Sequence, residues 1–327
     1  MTLRSEEIEH LVFMAMHAPS VHNTQPWRFT ATPSSLVLSQ DTNRQVHVID
    51  PWGRELLMSC GAALDHLEVA ARAIGLDAAV VLCVEGNTVA EIHFTREAEA
   101  TTVEVDRAIA ILERHTNRGR FSGPALTDDV LDAVRSRAQQ HDTLVRVVDA
   151  SEITEVEVLL SRAEDRLLRS ADYLRELDRW VWHGSIDDDR GDGLPQPAVQ
   201  HGINRAESLT GREFNGTRLV RPSEPPAAEE QTVVLLTTMA DTRRDWIQSG
   251  RALSAVLLTV TLKGLVAQPL GQVVDLPGAR KALGDLLGTI GSPQMLLRIG
   301  HGPSLPATPR RSVSDVLTVS LVGAPHV

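Results

Sequence analysis

The stretch Ala18-Pro-Ser-Val-His-Asn-Thr-Gln-Pro-Trp-Arg-Phe29 constrains this chain more than any other. Ahead of it, Ile8, Leu11, Val12 and Ala15 recur at helical spacing, and Pro19 stops that helix at about Ala18. After it, Trp27 and Phe29 alternate with Arg28 and Thr30, as at the start of a strand. What lies between is a tight loop that brings Ser20, His22, Asn23, Thr24 and Gln25 onto one turn. That many hydrogen-bonding groups suit a planar ligand with a polar edge; in most loops the same residues would be an Asx-type turn capped by Ser and Asn.

Downstream, residues 34 to 39 return as a second strand, and Leu56, Leu57, Cys60, Leu64, Leu67 and Ala71 mark a helix that Gly75 ends. Small residues at Ser59, Gly61, Ala62 and Ala63 leave room for another helix to approach this one. Ala78 to Val84 and Val89 to Phe94 form a hairpin around Glu85-Gly-Asn87, which completes a helix-and-sheet unit by about residue 100. A second unit opens with a helix from Val103 to about Glu113 and a plain strand from Asp142 to Val148. Residues 151 to 178 read as one helix with Val158, Leu159, Ala163, Leu167, Leu168 and Leu174 on its apolar face. A Pro- and Gly-rich excursion runs on to Pro226, and loops of that length are usually disordered or functional lids. Trp180 and Trp182 either cover a site there or anchor the excursion on the core. Then come a buried strand at Gln231 to Thr237, a long helix from Asp241 to Lys263, a ten-residue helix from Gly278 and a strand from Met295 to Ile299. Val316 to Leu321 reads as a C-terminal arm or strand.

At 327 residues the chain has room for two domains or one fused double unit, and with 3% aromatic residues its core must be built from Leu, Val and Ala. A formal net charge of -11 argues against a nucleic-acid surface and makes local Arg clusters stand out as anion sites. Cys60 and Cys83 have neither disulfide-framework nor zinc spacing and are expected to be buried, reduced thiols. The opening residues are polar, and the most apolar segment, Ala252 to Leu270, is broken by Ser254, Thr259, Thr261 and Lys263. It reads as a core helix and not a membrane span, so a cytoplasmic protein is expected.

One such cluster is Arg114-His-Thr-Asn-Arg-Gly-Arg-Phe121, with four cationic or potentially cationic groups within seven residues. Guanidinium forks match phosphate oxygens, although cations also gather at any helix C-terminus. Pro309-Arg-Arg-Ser312 is a second, shorter cluster.

Taken together, these runs resemble the FMN-dependent nitroreductase superfamily. The Pro19 to Trp27 run is similar to its Pro-Ser-x-x-Asn-x-Gln-Pro-Trp signature, and Arg114 to Phe121 to its Arg-Arg/His-Ser-x-Arg/Lys motif with the downstream Phe. Leu265-Val-Ala-Gln-Pro-Leu-Gly-Gln272 resembles the segment whose backbone approaches the flavin N5 edge, and Pro309-Arg-Arg-Ser312 the late basic pair. From the first helix to about Val319, the chain is most similar to the mycobacterial Acg-type proteins, in which two nitroreductase-like halves are fused.

The resemblance implies an α+β, nitroreductase-like fold with two halves forming an intrachain pseudo-dimer. Residues 1–102 would be the first half, carrying the ring-covering loop. Residues 103–327 would be the second, carrying the phosphate motifs and a lid insertion at 172–230. A nitroreductase subunit carries both motifs and places its flavin across the dimer interface; here they are divided, one to each half. Halves packed as subunits would then make one complete site and one empty one, hence one FMN per chain, with a monomer sufficient and a homodimer compatible.

By the same resemblance Arg114, His115, Thr116, Arg310 and Arg311 would hold the phosphate, each charge-assisted hydrogen bond contributing roughly 1.5 to 3 kcal/mol. Arg118 would face the pyrimidine edge. Pro19, Ser20, Asn23 and Gln25 would cover the ring and ribityl chain. Backbone N–H groups of Gly271 and Gln272 would face N5, although many relatives have an acidic residue where Gly271 stands. No Ser-His-Asp order, HExxH or GxGxxG occurs, so no catalytic side chain and no metal are expected. Two functions fit. One is an oxidoreductase passing a hydride from NAD(P)H to FMN and on to a nitro compound or quinone. The other is a non-catalytic protein that sequesters or stores FMN beneath the lid.

Overall fold

The computed structural model describes residues 3–96, 99–119, 121, 123–182, 190–195, 209, 212, 214, 232–303 and 307–320. Two helices form its centre, α2 (Arg54–Ala73) and α7 (Arg243–Leu262). Each begins at a cap that satisfies exposed N–H groups. The Asp50 carboxylate accepts from Leu56 N at 2.9 Å, and Thr242 with Asp245 makes a capping box. The helices meet backbone to backbone. A Cβ added to Gly61 would lie 2.1 Å from the Ile247 carbonyl oxygen, and one added to Gly250 would lie 1.9 Å from that of Met58. The small residues expected on α2 thus do admit a second helix, and the contact is Gly61 against α7. Beside the crossing, the Ser254 hydroxyl donates to Asp65 at 2.5 Å and Arg251 pairs with Glu68 at 2.8 Å.

The first sheet has the order β11-β1-β2-β4-β3. It comprises β1 (Trp27–Ala31), β2 (Leu36–Gln40), β3 (Leu76–Leu82), β4 (Thr88–Arg96) and, from the far end of the chain, β11 (Leu317–Val319). The β11 strand lies parallel to β1, with Leu317 opposite Phe29, and the other pairings are antiparallel. Helices α1 (Ser5–Ala15), α2 and α3 (Thr102–Glu113) supply the apolar cluster that includes Trp27, Phe29, Leu57 and Ile111. Because only one face is covered, β1 alternates buried and exposed residues.

The second sheet is wholly antiparallel and has the order β5-β8-β10-β9: β5 (Thr143–Val147), β8 (Thr232–Thr238), β9 (Val266–Pro269) and β10 (Ser292–Gly300). Helices α4 (Asp128–Gln139) and α7 cover one face. The other is covered by α5 (Ile153–Leu168) and by α8 (Gln272–Asp275) with α9 (Pro277–Leu286). A sheet buried on both faces reads as continuous apolar runs, and all seven residues of β8 are buried. A two-stranded parallel pair, β6 (Val181–Trp182) with β7 (Leu194–Pro195), follows α6 (Ala171–Trp180), and α10 (Val313–Val316) leads into β11.

Several expectations shift. Helix α1 ends at Ala15, three residues before Ala18, where His17 N and Ala18 N turn to the Met14 and Ala15 carbonyls; the freed Met16 and His17 carbonyls accept from Arg310 at 2.8 and 3.2 Å. The single helix expected at 151–178 is two helices, since Ser170 takes the N-cap of α6 and accepts from Tyr173 N. The buried face of α5 is Val156, Leu160, Ala163 and Leu167, while Val158 is exposed. Cys60 is buried, but Cys83 is half exposed because it follows β3, the edge strand of its sheet. Both are free thiols, and burial pushes the Cys60 thiol well up. Trp180 is buried among Val46, Ile49, Tyr173 and Leu177. Most of the expected lid, 172–230, lies outside the described residues. Among the described residues no helix is long and apolar enough to cross a membrane.

The crossing makes a prediction of sign. Alanine gains about 1 kcal/mol over glycine in a helix, but overpacking a tight contact costs about 1–3 kcal/mol or more. Gly250→Ala, facing backbone at 1.9 Å, should therefore lower the urea midpoint, by about 2 kcal/mol of stability. Gly278→Ala in α9, where an added Cβ meets nothing, should raise it.

Candidate functional site

Between the first turns of α2 and the middle of α7 opens a cleft enclosing about 780 Å³, its mouth included. One wall is Pro19, Ser20, Val21 and His22 from the first sheet's entry loop. Facing it are Thr116 and Arg118, then Gln268, Pro269 and Gly271 from the end of β9. Glu55, Met58 and Ser59 of α2, with Leu253 and Met295, form the floor, and Arg212 and Phe214 complete the lining.

The loop holds a backbone that L-residues resist. His22, Asn23 and Gln25 have φ of 46, 55 and 50°, a region costing roughly 1–2 kcal/mol per residue outside glycine. Side-chain bonds compensate. Ser20 Oγ accepts from Gln25 N at 3.0 Å, and Asn23 Nδ2 donates to the Gly193 and Pro309 carbonyls, both at 2.9 Å. Gln25 Nε2 donates to the Gly191 carbonyl at 2.8 Å, and its Oε1 accepts from Arg311 N at 3.0 Å. Asn23 and Gln25, expected to touch a ligand, tie residues 191–193 and 309–311 to the loop. Pro19 and Ser20 do line the cleft.

The basic run leaves α3 in extended form, and from His115 to Arg118 its side chains alternate between two cavities. Thr116 bridges Ala267, and Asn117 N donates to the Ala267 carbonyl at 3.0 Å. Thr116 and Arg118 face the cleft, whereas Arg114, His115 and Asn117 line a second cavity of about 640 Å³ on the other side of the same backbone. Two residues not anticipated hold this segment. Asn117 Oδ1 accepts from Gly119 N at 2.8 Å, and Arg298 Nη2 donates to the Gly119 carbonyl at 2.9 Å with its guanidinium 4.0 Å from the Phe121 ring.

Arg114, Arg118 and Arg310 share an unusual condition: among the described residues none has a carboxylate partner. Arg114 is buried, donates to the His17 carbonyl at 3.3 Å, and its Nε has no partner there. Arg310 donates to the Met16 and His17 carbonyls, Asn23 Oδ1 and Thr308. Burial pulls Arg114 down to about 10; burial and then Arg114 pull Arg310 down to about 9. Burial and Arg212 pull Arg118 to about 10, where it stacks 5.0 Å from the Phe214 ring. His115 is held down at about 4 by burial, Arg114 and Arg310. Cations taken out of water without a counter-charge are costly, so Arg114 and Arg310, which share the His17 carbonyl, fit a bound anion, while Arg118 stands apart from them on the cleft. Arg311 likewise has no carboxylate partner among the described residues; its guanidinium donates to the Gln25 and Asp315 carbonyls.

Beyond the cleft wall, Gly271 opens α8, and Gln272 is buried behind it. No acid stands at Gly271, but the Asp275 carboxylate reaches within 3.5 Å of the position its Cβ would take, and pairs with Arg212. Arg212 also approaches His22 Nε2 at 3.4 Å. Arg212 and Phe214 carry no local pattern to mark them, and Glu55 stands in sequence only as one of the charged pair Arg54-Glu55 that opens α2 ahead of its apolar run.

No protein-family model matches the chain. The fold is similar to that of a solved "putative nitroreductase from Anabaena variabilis", with a TM-score of 0.54 and 8% identity, covering 91% of this chain and 88% of that one. It is a nitroreductase-like α+β fold of two halves in one chain. In sequence the chain is 32% identical over 322 residues to the Mycobacterium tuberculosis protein "Putative NAD(P)H nitroreductase Rv3131", covering 96% of this chain and 91% of that protein. It is 30% identical over 322 residues to the same organism's "Putative NAD(P)H nitroreductase acg", covering 96% of each. The chain belongs to the nitroreductase superfamily, in its Acg-type group.

If the unpaired arginines form an anion site, inorganic phosphate should raise the unfolding temperature of the wild-type protein at constant ionic strength. In Arg114→Met with Arg310→Met, two charge-assisted contacts are lost, a penalty of about 3 kcal/mol or more, so phosphate should bind about 100-fold more weakly and the shift should vanish. Arg114→Met alone should not destabilise the phosphate-free protein, since it removes a buried charge with one long hydrogen bond.

Proposed function

We propose that this chain is an FMN-binding oxidoreductase that passes a hydride equivalent from NAD(P)H to a nitro compound or quinone. The observation that carries the reading is the meeting, on one cleft, of the Pro19–Ser20 loop with the Thr116–Arg118 segment, with Arg114, which lacks a carboxylate partner, on the other side of that segment and Arg310 bonded to the same His17 carbonyl. Arg114 and Arg310 hold the phosphate, with His115 beside them. Arg118 sets positive charge against the pyrimidine edge, where negative charge collects on reduction. Pro19 and Ser20 cover the ring, and Thr116 and Gly271 bring backbone to its edge. When bound, FMN supplies two-electron chemistry between a dihydronicotinamide and an acceptor, and the protein supplies placement and charge.

In sequence the halves divide as residues 1–102 and 103–327, the second lending α3 and β11 to the first sheet's layer, with one FMN between them. At the far end of α2, Asp65, Glu68 and Glu104 share a cavity of about 660 Å³ with Arg72, Arg107 and His141. Those carboxylates disfavour a second phosphate there, which supports one flavin per chain. A sequestering role is the second reading, and Arg212 with Phe214 favours it, because both come from the excursion and stand in the cleft wall.

The visible spectrum of the purified protein, recorded anaerobically with NADPH and then NADH, separates the readings. A flavin band of one equivalent per chain that bleaches within seconds is expected. A band that resists both nucleotides but fades with dithionite would establish sequestration. Two equivalents per chain would overturn the single site.

A further inference from the structure

Among the described residues that line the cleft, Glu55 is the one acid, and the contacts assigned above to FMN leave it unused. It sits in the first turn of α2, buried, on the same wall as Met58 and Ser59. Arg54 Nη2 donates to Glu55 Oε1 at 2.8 Å, and Arg54 is itself fixed by donating from Nη1 to the Gln294 carbonyl at 2.6 Å. Further charges face the carboxyl from each neighbouring element: Asp50 before α2, Asp275 on α8 and Arg212 from the excursion. His22 and Arg118 line the same cleft.

This placement gives the carboxyl an uncommon property. Burial, and then the charge of Asp275, outweigh Arg54 and push Glu55 up to about 8. Raised in this way, the carboxyl holds its proton more tightly than an ordinary glutamate does, and Arg54, 2.8 Å away, is placed to hold the carboxylate once the proton has left. The other titratable group of the acid–base range in the wall, His22, is held neutral by burial, Arg212 and Arg118. The hydroxyls of Ser20, Ser59 and Thr116 are far weaker acids. Reduction of a quinone or nitro group consumes protons, and the wall offers one group able to give them.

We propose that Glu55 is the proton donor of this cleft, delivering its carboxyl proton to an oxygen of the acceptor reduced there; the role rests on the oxidoreductase reading. For a quinone the step balances simply. The quinone gains a hydride equivalent drawn from NAD(P)H, which leaves as NAD(P)⁺, and the resulting monoanion takes one proton from Glu55 O–H. A phenolic O–H bond forms, the carboxyl O–H breaks, the carboxylate is held by Arg54, and water at the cleft mouth restores the proton.

Two measurements on wild-type protein, Glu55→Gln and Glu55→Asp test this. In flavin-free protein with carboxyl-labelled glutamate, NMR should find a side chain titrating near pH 8 that is missing from Glu55→Gln. In FMN-loaded protein reduced photochemically and mixed with benzoquinone, wild-type reoxidation should fall as pH rises through that midpoint. Glu55→Gln should be slower by about 100-fold at neutral pH with a flat profile, and Glu55→Asp should recover part of the rate. Equal flavin content in wild type and variants keeps binding out of the comparison. No glutamate titrating above the ordinary carboxylate range, or a Glu55→Gln protein matching wild type in rate and profile, would overturn the proposal. A wild-type chain that retains no flavin would instead overturn the oxidoreductase reading, and the donor role with it.

Discussion

The contact between the α2 and α7 backbones at Gly61 and Gly250 is the constraint on which the rest of the molecule depends. With no side chain between them, the helices come close enough for one cleft to take its floor from both, Glu55, Met58 and Ser59 on α2 and Leu253 on α7. Each helix also carries the apolar cluster of its own sheet, so the crossing sets the relation of the two sheets. The chain then ties the halves together twice more. Strand β11 returns to pair with β1, and Asn23 bonds the Pro309 carbonyl immediately before that return.

Charge is distributed as unevenly as packing. Among the described residues of this acidic chain, many arginines pair with carboxylates, as Arg212 does with Asp275 and Arg280 with Asp241. Around the end of α1 they do not. There Arg114 and Arg310 face main-chain carbonyls, which are dipoles and offset only part of the cost of burying a cation. His17, His66 and His115 crowd the same place, and burial with the nearby arginines holds all three neutral. Acids gather instead around the first turn of α2, where Asp50, Glu55 and Asp275 meet Arg54 and Arg212. One end of the site thus favours an anion and the other retains a proton.

Elements with strong periodicity were legible in the chain. The apolar run of β8, the stripe of α2 and the alternation of β1 each follow from burial on two faces, one stripe or one face, and burial pattern is what a sequence records most directly. The break between α5 and α6 was not legible, because Ser170 fits a helix interior and a cap alike and only Tyr173 N shows which. The site was read in part. Pro19, Ser20, Thr116 and Arg118 come together on the cleft, and Arg114 meets Arg310 at the His17 carbonyl, to which both donate. Arg311 stands beside Arg310 in sequence yet turns away, since neighbouring residues in an extended segment point to opposite sides.

By itself the sequence determined which residue types were available and in what order: a polar loop with a signature rare enough to mark a family, a basic run after a helix, and helices whose small residues permit close approach. Those are local properties, set by side-chain chemistry and spacing along a few turns. Tertiary structure alone decided that Gly250 is the mate of Gly61, that Asn23 and Gln25 brace the loop while His22 and Ser20 face the cleft, and that Glu55 stands there as an acid. Each of these depends on segments far apart in the chain, and on the dielectric and charge that only their packing creates.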